Sequence, residues 1–128
     1  MLGDRSSTSH LSPHFASPSE QKAWNDFIAL FEAGAYWEAH EALEALWLKA
    51  AGSDKDFYAG LILLAAALVK ARRDNSAQGG RRNYAKALAK LATIPDVYQN
   101  LHVRWLEAEV HAALRNSDLK PSLPFKVD

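Results

Sequence analysis

From Phe57 to Val69 the chain runs for thirteen residues without a single charge. A bilayer span needs about 20 apolar residues, so this stretch is too short to cross one. It does not alternate apolar and polar residues, so it is not a strand with one wet face. A helix that is apolar all round has to be enclosed by other elements. The rest of the chain must therefore supply a jacket of amphipathic helices. Composition agrees: alanine occurs 23 times, whereas Val, Ile and Thr together occur 10 times. Alanine is the strongest helix former, and the strand-favouring β-branched residues are scarce. The expected fold class is all-α. Gly60, inside the uncharged stretch, costs about 1 kcal/mol relative to alanine. Its expected return is the close approach of a neighbouring helix.

Punctuation along the chain predicts a single bundle of about five helices built on antiparallel hairpins. Residues 1–17, with Pro13 and four serines before Ser17, read as a flexible tail. They lack the apolar run of a secretory signal. His10 and His14 fall in this tail, and Pro13 between them argues against a helical metal pair. The bundle is expected over residues 18–116. Ser17, Pro18 and Glu20 form the start signal of the first helix, whose apolar stripe is Trp24, Phe27, Ile28 and Phe31. Gly34 ends it. The second helix spans about Ala35 to Ala51, with Tyr36, Ala39, Leu43, Leu46, Trp47 and Ala50 inward. The third begins at Ser53. The fourth covers about Arg81 to Ala92, with Tyr84, Leu88 and Leu91 inward. The fifth covers about Val97 to Arg115, with Leu101, Trp105, Val110 and Leu114 as contacts. Residues 117–128 read as an extended C-terminal tail lying across the bundle through Leu123 and Phe125.

Fifteen basic and fifteen acidic residues give a formal charge of zero. A global attraction to nucleic acid or anionic lipid is excluded as the organising force. The chain has no cysteine, which excludes disulfides, a thiol nucleophile and thiolate-bound zinc. The expected location is the cytoplasm, with no membrane association and no cofactor.

The second helix carries the polar residues that need an account. At 100° per residue, Tyr36, His40, Leu43, Glu44 and Trp47 share one face. One imidazole and one carboxylate, four residues apart, thus fall within an aromatic stripe. An unpaired buried carboxylate costs several kcal/mol. The economical arrangement is a His40–Glu44 pair, with the second ring nitrogen bonded to another helix. His40→Ala is then expected to cost about 1–3 kcal/mol by stranding Glu44. The same residues, with Glu41, Tyr36 and Trp47, are the candidate polar site. Zinc needs at least three protein ligands, and this face offers two. Glu107 and His111 repeat the spacing on the fifth helix without facing the same way, so no metal site is expected. Glu38 and Glu41 lie off the inner face. Trp37 and Trp47 are expected in the core.

The segment from Phe31 to Trp47 resembles the signature of domain-of-unknown-function family 309, small helical proteins of bacteria and archaea. The matching features are Phe31 and Gly34, the aromatic pair Tyr36 and Trp37, then Glu38, Ala39, His40 and Glu41, with Glu44 and Trp47 beyond. A second likeness runs from Tyr58 to Leu68. Together they cover about Trp24 to Leu91. The resemblance implies an all-α bundle and no established reaction. The family shows glutamines at the positions of Ala59 and Leu63 and a histidine at that of Lys70, so a polar cluster around His40 is thinner in this chain. A weaker likeness, to the hairpin of tetratricopeptide repeats, rests on Gly34, the aromatic after it, Glu38 and Ala39. The spacing to its echo at Tyr84 and Ala85 departs from the 34-residue period, so no repeat array is expected.

Charge is uneven along the chain. Lys70, Arg72, Arg73, Arg81, Arg82, Lys86 and Lys90 stand against Asp74 alone between residues 70 and 90. Arg72, Arg73, Arg81 and Arg82, near the amides after Gly79 and Gly80, form a candidate anion site. Nucleic acid is not the expected partner, for no aromatic interleaving accompanies them. The leading expectation is a non-enzymatic structural or protein-interaction module, with a protein partner or a second copy of the chain. The alternatives are an enzyme or metal-binding protein using His40 and Glu44, and an anion or RNA contact through the basic segment.

Overall fold

The computed structural model describes Phe15 and residues 17–127. His10, His14 and most of the expected N-terminal tail lie outside the described residues. Five helices follow in order: α1 (Pro18–Glu32), α2 (Tyr36–Lys49), α3 (Gly52–Arg72), α4 (Ala77–Leu91) and α5 (Val103–Arg115). Two two-residue strands, β1 (Val97–Tyr98) and β2 (Leu101–His102), precede α5. The all-α reading holds. α3, which contains the uncharged stretch, is the axis of the bundle and packs against α2, α4 and α5, while α1 packs on α2.

The local signals explain the first hairpin. The Ser17 hydroxyl accepts the N–H of Glu20 at 3.2 Å, and Pro18 occupies the first turn. At the other end Gly34 has φ +81°. The N–H of Gly34 donates to the Phe31 carbonyl at 3.0 Å and that of Ala35 to Leu30 at 2.9 Å. These are the two bonds of a Schellman stop, which needs a left-handed residue. α3 starts one residue before the expected Ser53. Gly52, at φ +61°, opens it, and no side chain caps it.

Two boundaries differ from the sequence reading for identifiable reasons. α4 starts about a turn before Arg81, because Ser76 caps it through the Gly79 N–H at 3.0 Å. Residues Val97 to His102 are not helical. Gln99 and Asn100 have φ of 48° and 65°, which closes a tight antiparallel turn between β1 and β2. The C-terminal segment holds that hairpin in place. His102 N–H donates to the Pro124 carbonyl at 2.9 Å, Lys126 N–H to Asn100 at 2.6 Å, and Phe125 bridges to Leu101. The segment crosses the bundle through Leu123 and Phe125 as irregular chain, with a single β-bridge at Phe125.

The core centres on Trp24. Its ring lies 5.4 Å from Phe27, 6.1 Å from Phe57 and 6.3 Å from Phe125. Leu61, Leu64 and Leu68 of α3 continue it towards Leu91 and Val110. Gly60 packs directly beneath Leu91, and a Cβ there would collide with that side chain. The close approach anticipated for this glycine is thus α4. Leu88 and Trp105 are exposed rather than inward, Trp105 at 58%. The inner face of α5 is instead Val103, Leu106, Glu107, Val110 and Ala113.

Candidate functional site

The Gly34 turn aims the first turn of α2 along the C-terminal half of α3, and Tyr36, His40, Arg72 and Arg73 lie on and beside that seam. The buried face of α2 is Tyr36, Ala39, Leu43 and Leu46. This stripe is rotated from the expected one. Tyr36 and Leu43 belong to it, His40 and Trp47 stand at its edge, and Glu44, Glu41 and Glu38 face outward. His40 Nε2 and Glu44 Oε2 are 3.5 Å apart, with side-chain exposures of 14% and 52%. The expectation of a sealed pair is corrected accordingly. The couple forms, but at the rim of the seam, because α1 and α3 close over Ala39 and Leu43 and leave Glu44 in water. The other ring nitrogen, Nδ1, meets the Trp37 carbonyl of its own helix at 2.8 Å, not another helix.

Trp37 is the larger departure. Expected in the core, it is 43% exposed. Its ring is clasped on two sides: the Arg73 guanidinium lies 4.7 Å from the ring centroid and the His40 ring 4.7 Å away. Trp47 is half-buried, with Lys55 Nζ 4.0 Å from its ring centroid and donating to its carbonyl at 3.1 Å. Tyr36 is buried, and its hydroxyl is enclosed without a hydrogen bond of ordinary geometry. Burial pushes its phenol pKa up, against the pull of the adjacent Arg72.

Two hollows open on this seam. One, of about 600 Å³, lies between the α1–α2 turn, the end of α3 and residues 117–120, with Trp37, Glu38, Arg72, Arg73, Asp118 and Lys120 in its wall. The other, of about 120 Å³, is lined by Trp37, His40, Lys70, Arg73 and Asp74 among others. Trp37, Val69 and Arg73 line both, so the two hollows adjoin across the stacked Trp37 and Arg73 side chains. No side chain caps α2, so its first-turn N–H groups keep their hydrogen-bonding capacity at the groove. The first turn of α2 and the side chains of Arg72, Arg73 and Lys120 share the wall of the large hollow with the carboxylates of Glu38 and Asp118.

The four arginines of the candidate anion site do not act together. Arg72 is committed to the fold: it donates to the carbonyls of Ala113 at 3.1 Å, Asn116 at 3.4 Å and Leu119. Arg73 pairs with Asp74 at 3.2 Å while covering Trp37. Arg81 and Arg82 are exposed on α4. The amides expected to greet an anion there are already used, Gly79 by the Ser76 hydroxyl and Gly80 by the Ser76 carbonyl, both at 3.0 Å. The four-arginine site is corrected to two separate locations.

Among the described residues no group of three or more His, Asp or Glu side chains is placed to hold a metal ion. His40 and Glu44 offer two donors, and Glu107 and His111 diverge, one buried and one exposed. The sequence reading does not single out Glu107 as a buried acid. Its side chain is 12% exposed, 3.4 Å from Arg104, and desolvation pushes its pKa up, with Arg104 opposing. The spacing of Leu106, Val110 and Ala113 around it carries that signal in the sequence.

Comparison with known proteins agrees with the architecture. The family model described as domain of unknown function (DUF309) matches residues 24–83. The crystal structure of a conserved hypothetical protein from Thermus thermophilus is similar at 41% identity and a TM-score of 0.65, covering 72% of this chain and 95% of that one. No curated protein matches. The helical signature from Phe31 to Trp47, the shared fold and the extent of that likeness together show that this chain belongs to the DUF309 family.

Proposed function

We propose that the protein is a non-enzymatic helical module that docks an acidic segment of a protein partner in the groove at the head of α2. The observation that carries this reading is Trp37. An exposed indole clamped between a guanidinium and an imidazole has little rotamer freedom left to lose, and it stands at the lip of a hollow of about 600 Å³. Preorganised aromatics with an arginine beside them are the residues that dominate binding energy at interfaces. The open first turn of α2, Arg73 and Lys120 supply the charge complement for carboxylates.

The same geometry supports acid–base chemistry less well. The imidazole is tethered by the Trp37 carbonyl, and its carboxylate partner is half in water, where it gains little from the pair. A continuous RNA track is disfavoured by the diversion of Arg72 into the fold.

The test is a titration of isotope-labelled protein with hexaglutamate, with hexaglutamine as control, followed by NMR. Saturable shifts are expected at the Trp37 indole N–H and the amides of Tyr36 to Glu38, with affinity lowered about tenfold or more in Arg73→Ala. Trp37→Ala should abolish the shifts while moving stability by less than about 1 kcal/mol. Equal response to both peptides, or a response indifferent to both substitutions, would overturn the reading.

A further inference from the structure

A separate cavity of about 620 Å³ lies between the first turns of α4 and the last turns of α5. We infer that this cavity is a binding site for a phosphate monoester carried on a small planar molecule. It shares no lining residue with the groove at α2, so the inference is independent of the function proposed above.

Its wall is Ala77, Arg81, Tyr84, His111, Leu114 and Arg115. Two arginines line this space and no carboxylate does. Among the described residues neither Arg81 nor Arg115 has an ion pair or a hydrogen bond, whereas Arg72, Arg73 and Arg104 are all engaged. Two unpartnered cations in the wall of one hollow repel each other, and a dianion between them removes that repulsion. Guanidinium forks suit phosphate oxygens because they donate two parallel N–H groups. The start of α4 adds to this. Ser76 satisfies the amides of Gly79 and Gly80, which leaves those of Ala77 and Gln78 open at the positive end of a fifteen-residue helix.

The remainder of the wall selects the body of the ligand. The Tyr84 hydroxyl is spent on the Glu107 carbonyl at 2.9 Å, so the phenol presents its ring rather than its oxygen. The His111 ring lies 5.5 Å from it, tilted by 43°. With Leu114 these rings make an apolar, aromatic surface on which a flat heterocycle can lie. A volume of this size suits a small organic ligand. Lys86 and Lys90, further along α4, are not part of the wall, so the positive charge is gathered at one end rather than laid out as a track for a polyanion.

The experiment uses the full chain with AMP, inorganic phosphate and adenosine as three separate probes, read by calorimetry and by the NMR signals of the His111 ring. AMP is expected to bind saturably and shift His111, inorganic phosphate to bind the same place more weakly, and adenosine to give no shift. Arg81→Ala and Arg115→Ala should each weaken AMP by about tenfold or more, with unchanged thermal melts because both side chains are exposed. Arg73→Ala, at the other groove, should leave AMP binding as it was. Adenosine binding as well as AMP, phosphate binding as tightly as AMP, or no response of His111 to AMP at about 10 mM would each overturn the inference. So would binding that is lost in Lys86→Ala/Lys90→Ala but retained in Arg81→Ala, since that pattern marks an extended polyanion surface.

Discussion

Glu107 carries a carboxylate into the packed face of α5, where Arg104 answers it at 3.4 Å and one of its oxygens is enclosed without a hydrogen bond. Desolvation outweighs the arginine, so the folded-state pKa lies above the ordinary value. The native state therefore keeps this proton to higher pH than the unfolded chain does. The stabilisation is complete below the unfolded pKa and is lost as pH rises through the folded one. Glu107→Gln should raise stability at neutral pH and remove the decline above pH 4.5, measured as urea midpoints from pH 4 to pH 8. A variant less stable than the parent at pH 7 would contradict this. His40 is the opposite case. Because Glu44 is half exposed, His40→Ala strands no buried charge. The expected cost falls from about 1–3 kcal/mol, for a sealed pair, to about 1 kcal/mol or less, checked by thermal melts. The residues of the pair were legible in the sequence. Their exposure was not, since a shift of one residue in the buried stripe of α2 decides it.

The elements are joined by two devices, glycines that admit a neighbour and cations that close helix ends. Gly60 admits Leu91, and Gly80 would place a Cβ 3.1 Å from the Ala67 carbonyl, so α3 and α4 approach closely at both ends of their contact. Lys55 of α3 reaches the last turn of α2 through the Trp47 carbonyl at 3.1 Å. Arg72 of α3 does the same for the end of α5, and Arg104 of α5 for the end of α4, through Leu91 at 2.8 Å and Ile94 at 2.9 Å. Each places a cation at the negative end of a helix other than its own. Gly60→Ala should destabilise in spite of the better helix propensity of alanine. Overpacking against a fully buried leucine costs about 1–3 kcal/mol, and the gain in propensity recovers about 1 at most. In Leu91→Ala the same substitution should cost much less, a coupling that a double-mutant cycle of chemical denaturation reads directly. The glycine was readable as a contact point from its place in the uncharged stretch. The cations were not, because their acceptors lie on other helices, far along the chain.

For the molecule as a whole, the C-terminal segment completes the bundle. Leu123 is buried, its N–H donates to Glu32 Oε2 of α1 at 2.8 Å, and Phe125 closes the aromatic cluster on Trp24 while pairing with β2. One short segment thereby ties α1 to the β hairpin. Ending the chain at Lys120 should remove about 3 kcal/mol, the burial of one leucine and part of a phenylalanine, and lower the melting temperature by roughly 10 °C. Faster amide exchange at Leu101 and His102 should accompany it. A truncated chain that melts with the parent would show that the segment merely rests on the surface.

Local patterns along the chain were enough to specify the class of the fold, the number of helices, the Ser17 start and Gly34 stop of α1, and the need for a close neighbour at Gly60. Each of these rests on short-range physics: helix propensity, capping bonds a few residues long, and the impossibility of exposing thirteen uncharged residues at the centre of the chain. Which flank of α2 faces water was settled by packing, so that Trp37 stands outside and His40 lies at the rim. Packing also paired Val97 to His102 as strands and committed Arg72 to α5. Those outcomes depend on distant partners, Phe125 for the hairpin and the carbonyls of Ala113 and Asn116 for the arginine. No local pattern encodes the direction from which such a partner arrives.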